Sequence, residues 1–197
     1  MTVGPDALVD AVDALRDGDL VVYPTETVYG LGADALDFAA VERVFEAKGR
    51  SRDDPVSLAV PSVQAALEYT DPTDRELAFM RAFLPGPVTV VVERRDVVPD
   101  ALTAGRDRVG VRVPDHDVAL ALLAEFAPIT ATSANVSGRP SARAVSELDV
   151  EIREAAAVVL DGGTTGGTGS TVVDVQAGEI HRRGDLADEI ADWLGSN

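Results

Sequence analysis

Short runs of branched apolar residues alternate with amphipathic segments along this chain, and that rhythm constrains the fold more than any other feature. LVVYP at 20–24, VSLAV at 56–60, VTVVVE at 88–93 and VGVRV at 109–113 read as strands, as do stretches near 128–132, 157–160, 171–175 and 179–183. The segments between them have helical spacing. In residues 5–17, Pro5 suits the first turn, Leu8, Val12 and Leu15 share a face, and Gly18 follows the end. Residues 38–48, 62–69, 74–84, 117–126, 143–155 and 185–194 also read as helices, and 25–32, 133–141 and 162–170 as loops. Strands alternating with helices predict an α/β fold. With no Pro/Gly/Ser linker and no internal repeat, residues 1–197 are expected to form one domain, its core at 5–185, with no second domain.

Composition removes several classes of chemistry. The 197 residues include no cysteine, which excludes thiol nucleophiles, disulfide frameworks and Cys-based metal centres. The two histidines, His116 in an acidic turn and His181 beside Arg182, fit structural roles better than catalytic ones. No apolar run approaches the roughly 18 residues of a membrane helix, and the N-terminus lacks a signal-peptide pattern. No membrane association and a cytoplasmic location are therefore expected. The 34 acidic residues against 17 basic ones give a net charge of −17. The acids are dispersed, and Lys48 is the single lysine beside 16 arginines, a pattern that favours adaptation to high salt over a dedicated basic partner. A lysine that survives such a bias is a functional candidate.

Lys48 is followed by Gly49-Arg50, so it does not belong to a P-loop, and the glycine-rich stretch 162–171 lacks the dinucleotide fingerprint. Four other segments place cations, hydroxyls and glycines in loops or at strand ends. Pro24 to Gly32 (PTETVYGLG) offers two threonine hydroxyls and close backbone approach, or a plain strand-to-helix turn. Lys48-Gly49-Arg50-Ser51-Arg52 suits phosphate oxygens, although a basic helix end also complements the helix dipole. In Val109 to Pro114 the valines take one face and Arg112 the other, to hold a carboxylate or to pair with an acidic side chain. Thr132 to Ser141 (TSANVSGRPS) and Gly169-Ser170-Thr171 supply small donors that can wrap a nucleotide. Together they outline one polar pocket for an anionic small ligand.

PTETVYGLG, KGR, PGPVT, VGVRVP, TSANVSGRPS and GSTVVDV, in this order over residues 5–185, resemble the YrdC-like family of threonylcarbamoyl-adenylate synthases. The resemblance implies a twisted mixed sheet flanked by helices around a large positively charged cavity. It also implies a nucleotidyltransferase reaction in which L-threonine, bicarbonate and ATP give threonylcarbamoyl-AMP and pyrophosphate, for the threonylcarbamoyladenosine modification of tRNA. By position, Thr27 is an implied threonine contact, and Arg112 would hold the threonine carboxylate with the Ala131 backbone and Ser170. Lys48 and Arg50 are implied triphosphate ligands, and Lys48, Arg50 and Arg112 the catalytic set. Ser133, Asn135, Ser141 and Arg182 are implied contacts on the nucleotide side or beside its metal. Asp54 stands on that side where many members have asparagine, Ala59 where longer members have histidine, and Arg108 where some members have threonine. Mg²⁺ delivered with ATP is the implied cofactor, with no residue set assigned to hold it. The product would pass to a threonylcarbamoyl transferase complex acting on tRNA. Direct double-stranded RNA binding, and a paralogue with another carbamoyl or nucleotidyl acceptor, are the alternatives.

Overall fold

The computed structural model describes residues 3–196. Helix α1 (Pro5–Arg16) leads into strands β1 (Leu20–Tyr23) and β2 (Gly30–Gly32), helix α2 (Phe38–Lys48) and strand β3 (Ser57–Ala59). Helices α3 (Val63–Ala66) and α4 (Asp74–Phe83) precede β4 (Val88–Glu93), α5 (Asp100–Thr103) and β5 (Arg108–Arg112). Then come α6 (Asp117–Glu125), β6 (Ile129–Ser133), α7 (Val150–Ala155), β7 (Ala156–Val159), β8 (Thr171–Asp174), β9 (Glu179–Arg182) and α8 (Ala187–Ser196). The strands form one mixed sheet in the order β7-β1-β2-β6-β3-β5-β4-β8-β9. Pairs β1–β7, β3–β5 and β4–β8 are parallel, and the others antiparallel. Among the described residues no helix is long and apolar enough to cross a membrane.

The faces of the sheet are covered unequally. Every residue of β1 is buried. Val21 and Tyr23 pack with Leu15 of α1 and Leu122 of α6, while Leu20 and Val22 pack with Val44 of α2 and Ile152 of α7. Apolar residues at all four positions are what a strand covered on both faces requires. On β4 and β5, by contrast, Val88, Val90, Val92, Val109 and Val111 face a core with Phe79 and Met80 of α4, Leu102 of α5 and Ile190 of α8. Phe79 meets Trp193 of α8 edge-on at 5.0 Å. The alternate residues Thr89, Val91, Arg108, Gly110 and Arg112 line a cavity on the opposite face.

Three local expectations are corrected. The GLG stretch expected in a loop is strand β2, antiparallel to β1 and β6. A Cβ on Gly30 would lie 2.7 Å from the Tyr23 ring, so the strand is built from glycine where side-chain alternation is silent. The helix expected over 143–155 divides into a 3₁₀ turn (Val145–Glu147) and α7, with Leu148 extended between them. Here the Asp149 carboxylate accepts from the Val136 amide at 2.8 Å and from Arg139 at 3.0 Å, tying the chain to the preceding loop. The helix expected over 62–69 is only the four residues of α3, capped by Ser62.

Candidate functional site

The open face of β3, β5, β4 and β8, with the ends of β1 and β6, encloses a cavity of about 750 Å³. Its wall carries five arginines, Arg50, Arg106, Arg108, Arg112 and Arg182, against two acidic side chains, Asp107 and Asp174. The period-two pattern of β5 is the cause, since packing Val109 and Val111 in the core turns Arg108, Gly110 and Arg112 to the cavity. Gly110 keeps that floor flat, because a Cβ there would lie 2.3 Å from Ser57 Oγ.

Arg112, 7% exposed, sits at one end. Its Nη2 donates to Thr27 Oγ1 at 2.9 Å and lies 3.0 Å from Glu26 Oε1. The Thr27 hydroxyl is 3.0 Å from that of Thr25, which donates to the Val28 carbonyl at 2.7 Å. The turn after β1 therefore fixes the guanidinium. Tyr23 closes this end, its phenol donating to the Thr130 carbonyl at 3.3 Å and held protonated by burial.

Ser170 joins the glycine-rich loop to β8. Its hydroxyl is 2.9 Å from Thr89 Oγ1 and accepts from Arg182 Nη2 at 2.8 Å, while Arg182 Nε donates to its carbonyl at 2.9 Å. Loss of hydration, then the charges of Arg112 and Arg50, lowers the pKa of Arg182. Arg50 is aimed by two carbonyls, accepting its Nε (Asp54) and Nη2 (Pro55) at 3.1 Å each. Like-charged groups held together in this way favour an anionic ligand.

Lys48 and Arg50 diverge at Gly49, which takes the left-handed conformation (φ 56°) and ends α2. Arg50 turns to the cavity. Lys48 stays buried on the helix, its ammonium donating to the carbonyls of Ser133 and, at 2.7 Å, Asn135. Burial first, then the charge of Arg50, pushes its pKa down to about 8, against the opposing pull of Asp149. Asn135 Nδ2 in turn donates to the Arg139 carbonyl at 2.9 Å.

Of the residues expected from sequence, Thr27, Arg50, Arg112, Ala131, Ser133, Ser141, Ser170 and Arg182 line the one cavity. Lys48, Asn135 and Asp54 stand outside its wall. Lys48 and Asn135 brace the loop that carries Ser133 and Ser141, and Asp54 offers its backbone carbonyl to Arg50. Sequence reasoning missed the wall residues Thr89 and Arg106, and Glu26, which lies outside the wall beside Arg112. Thr89 was legible, because the alternation of VTVVVE places it opposite the core valines. At the far end Arg108 donates to Glu76 at 2.7 Å and Asp174 at 3.1 Å, so the Asp174 carboxylate is already engaged. No group of three or more His, Cys, Asp or Glu able to hold a metal occurs among the described residues.

The arrangement is that of an α/β protein with an arginine-lined cavity on one open sheet face. Residues 13–184 match the model of the Sua5/YciO/YrdC family, described as "Telomere recombination", and the chain belongs to that family. It is 43% identical over 169 residues to the threonylcarbamoyl-AMP synthase of Pyrococcus abyssi, covering 84% of this chain and 49% of that protein. It is 37% identical over 187 residues to the threonylcarbamoyl-AMP synthase of Escherichia coli, covering 91% and 96%. The crystal structure of P. abyssi Sua5 complexed with L-threonine superposes with a TM-score of 0.84 at 40% identity, over 95% of this chain and 56% of that one. The chain thus spans about half the length of the Pyrococcus relative and nearly all of the E. coli one.

Proposed function

We propose that this chain is an L-threonylcarbamoyladenylate synthase, a nucleotidyltransferase that joins L-threonine, bicarbonate and ATP into threonylcarbamoyl-AMP and releases pyrophosphate. The observation that carries this reading is the wall itself. Arg112, fixed by Thr27, lies at one end of a cavity that also presents Arg50, Arg182 and the Ser133–Ser141 loop. That pairs a carboxylate site with a polyphosphate site. The names of the P. abyssi and E. coli relatives, and the threonine in the P. abyssi crystal structure, support the same substrates.

Arg112 would take the threonine carboxylate, with Ser170 and the Ala131 backbone beside it. The ammonium releases a proton to solvent, and the free amine nitrogen bonds to the bicarbonate carbon as water leaves, giving a carbamate. A carbamate oxygen then forms a bond to the α-phosphorus as the bond to pyrophosphate breaks. Arg50 and Arg182 would offset the charge on the departing pyrophosphate, so the protein contributes chiefly positioning and preorganised charge. Mg²⁺ would arrive on the triphosphate, where it needs few protein ligands. The product is an activated acyl-adenylate, suited to transfer onto tRNA by a separate transferase.

Pyrophosphate release from Mg·ATP in molar KCl tests the reading. Release that requires both L-threonine and bicarbonate is expected. ATP binding without that dependence would favour a paralogue with another acceptor. No ATP binding, with retention on double-stranded RNA, would favour an RNA-binding module, a reading that the net charge of −17 opposes.

A further inference from the structure

Helix α7 begins at an aspartate that does not cap it. Asp149 holds the N-cap position, where a carboxylate ordinarily accepts from an amide of its own first turn. It makes no such bond. It reaches back instead to the Val136 amide at 2.8 Å and to Arg139 Nη1 at 3.0 Å. The other amino group of Arg139 donates to Glu151 at 3.0 Å, which holds the arginine against α7. The amide hydrogen bond first, then Arg139, lowers the pKa of Asp149.

Lys48 stands on the other side of the same loop. The Asn135 carbonyl, which accepts from its ammonium at 2.7 Å, and the Val136 amide belong to one peptide group. A cation holds the oxygen of that group and an anion holds its hydrogen. Turning the peptide over would set its oxygen against the carboxylate and its N–H against the ammonium, so the two charges fix its orientation. The rest of the loop is built on this peptide. Asn135 Nδ2 donates to the Val136 and Arg139 carbonyls at 2.8 and 2.9 Å, and Ser141 Oγ lies 3.4 Å from Asn135 Oδ1. The Ser133 carbonyl accepts from the same Lys48 ammonium. Ser133 and Ser141 line the cavity, and Asp149 stands behind them.

We infer that Asp149 is a positioning residue for the nucleotide: with Lys48 it fixes the Asn135–Val136 peptide, and through that peptide the Ser133 and Ser141 hydroxyls on the cavity wall. This role rests on the synthase reading and adds to it a residue that never touches the substrate. The two charges are also coupled. Burial and then Arg50 push the pKa of Lys48 down to about 8, and Asp149, from the opposite side, pulls it up. Beyond Asp149 stand only its own partner Arg139 and then Glu151. Removing the Asp149 charge therefore lets Lys48 lose its proton at lower pH.

Calorimetric binding of Mg·ATP and of L-threonine between pH 6.5 and 9 tests this, on the unaltered protein, Asp149→Asn and Asp149→Ala. The unaltered protein should lose affinity for Mg·ATP above about pH 8, as Lys48 gives up the charge that holds the two carbonyls. Asp149→Asn keeps an oxygen for the Val136 amide but no charge. It should weaken Mg·ATP by roughly 3- to 10-fold at pH 7, leave L-threonine within about twofold, and move the alkaline loss to lower pH. Asp149→Ala should weaken Mg·ATP further. Unchanged Mg·ATP affinity in Asp149→Asn, or equal weakening of both ligands, overturns the role. So does an alkaline loss that stays in place, because the carboxylate would then not act with Lys48. If the unaltered protein binds Mg·ATP but no L-threonine, the synthase reading falls while the Asp149 result stands. If it binds no Mg·ATP, both fall.

Discussion

The two halves of the sheet solve the same problem differently. Around β1 both faces are covered, and each of its four residues is committed to one core or the other. Across β4 and β5 one face is covered, and the other faces an arginine-lined cavity. The first half supplies rigidity. The second uses that rigidity to hold groups that repel one another, which an isolated strand could not do. The polar pattern on β5 is tolerated because the valines between the arginines are anchored against α4, α5 and α8.

Substitutions in the two halves should therefore separate function from stability. Arg112→Ala is expected to lower kcat/KM of the proposed synthase by roughly 30- to 1000-fold, or about 2–4 kcal/mol, with the larger share in the KM for threonine. Steady-state kinetics check this, and an unchanged KM would remove the carboxylate role.

A second expectation concerns the junction between the halves. Lys48 gives up its proton near pH 8 in the folded protein and near 10.5 when unfolded. Between those values the unfolded chain holds more protons, so the Lys48 contribution makes stability rise with pH, by about 3 kcal/mol in total. Denaturation of the unaltered protein and of Lys48→Met from pH 7 to 10 should show that rise only where the lysine is present. Parallel curves would mean that burial does not govern this ammonium.

The smallest effects make the sharpest contrast. Val22→Ala, in the doubly covered half, is expected to cost roughly 1–3 kcal/mol of stability and little activity. Thr89→Val, on the cavity face, should cost less than about 1.5 kcal/mol of stability, yet disturb Ser170 and with it substrate binding. Denaturation and kinetics on both variants test the division. Equal losses of stability would blur the distinction between the halves.

The same division explains what the sequence could reveal. The alternation in VGVRV was enough to set Arg112 opposite the core valines, because a strand with one covered face writes its burial into its sequence; VTVVVE carries the same pattern, and Thr89 was legible there although it was missed. Strand β2 was illegible because two of its three residues are glycines chosen to clear the Tyr23 ring, a tertiary reason that leaves no periodicity. Thr27, Arg50, Arg112 and Ser170 were legible as polar residues in loops or alternating strands. Lys48 stood out by scarcity, but its direction depended on the left-handed turn at Gly49, and spacing alone put it beside Arg50. Glu26 was hidden among 34 acidic residues, and only its burial beside Arg112 distinguishes it.

The contrast between the exterior charge and the cavity wall has a kinetic consequence. The chain carries −17 overall, while its cavity presents five arginines and two aspartates. An anionic ligand such as the proposed triphosphate would be repelled at long range and attracted only at short range. Salt shortens the reach of the first field, from about 10 Å at 0.1 M to about 3 Å at 1 M, and acts far less on partly buried charges. The encounter rate with anionic ligands should therefore climb with ionic strength, the reverse of the slowing seen when opposite charges steer association.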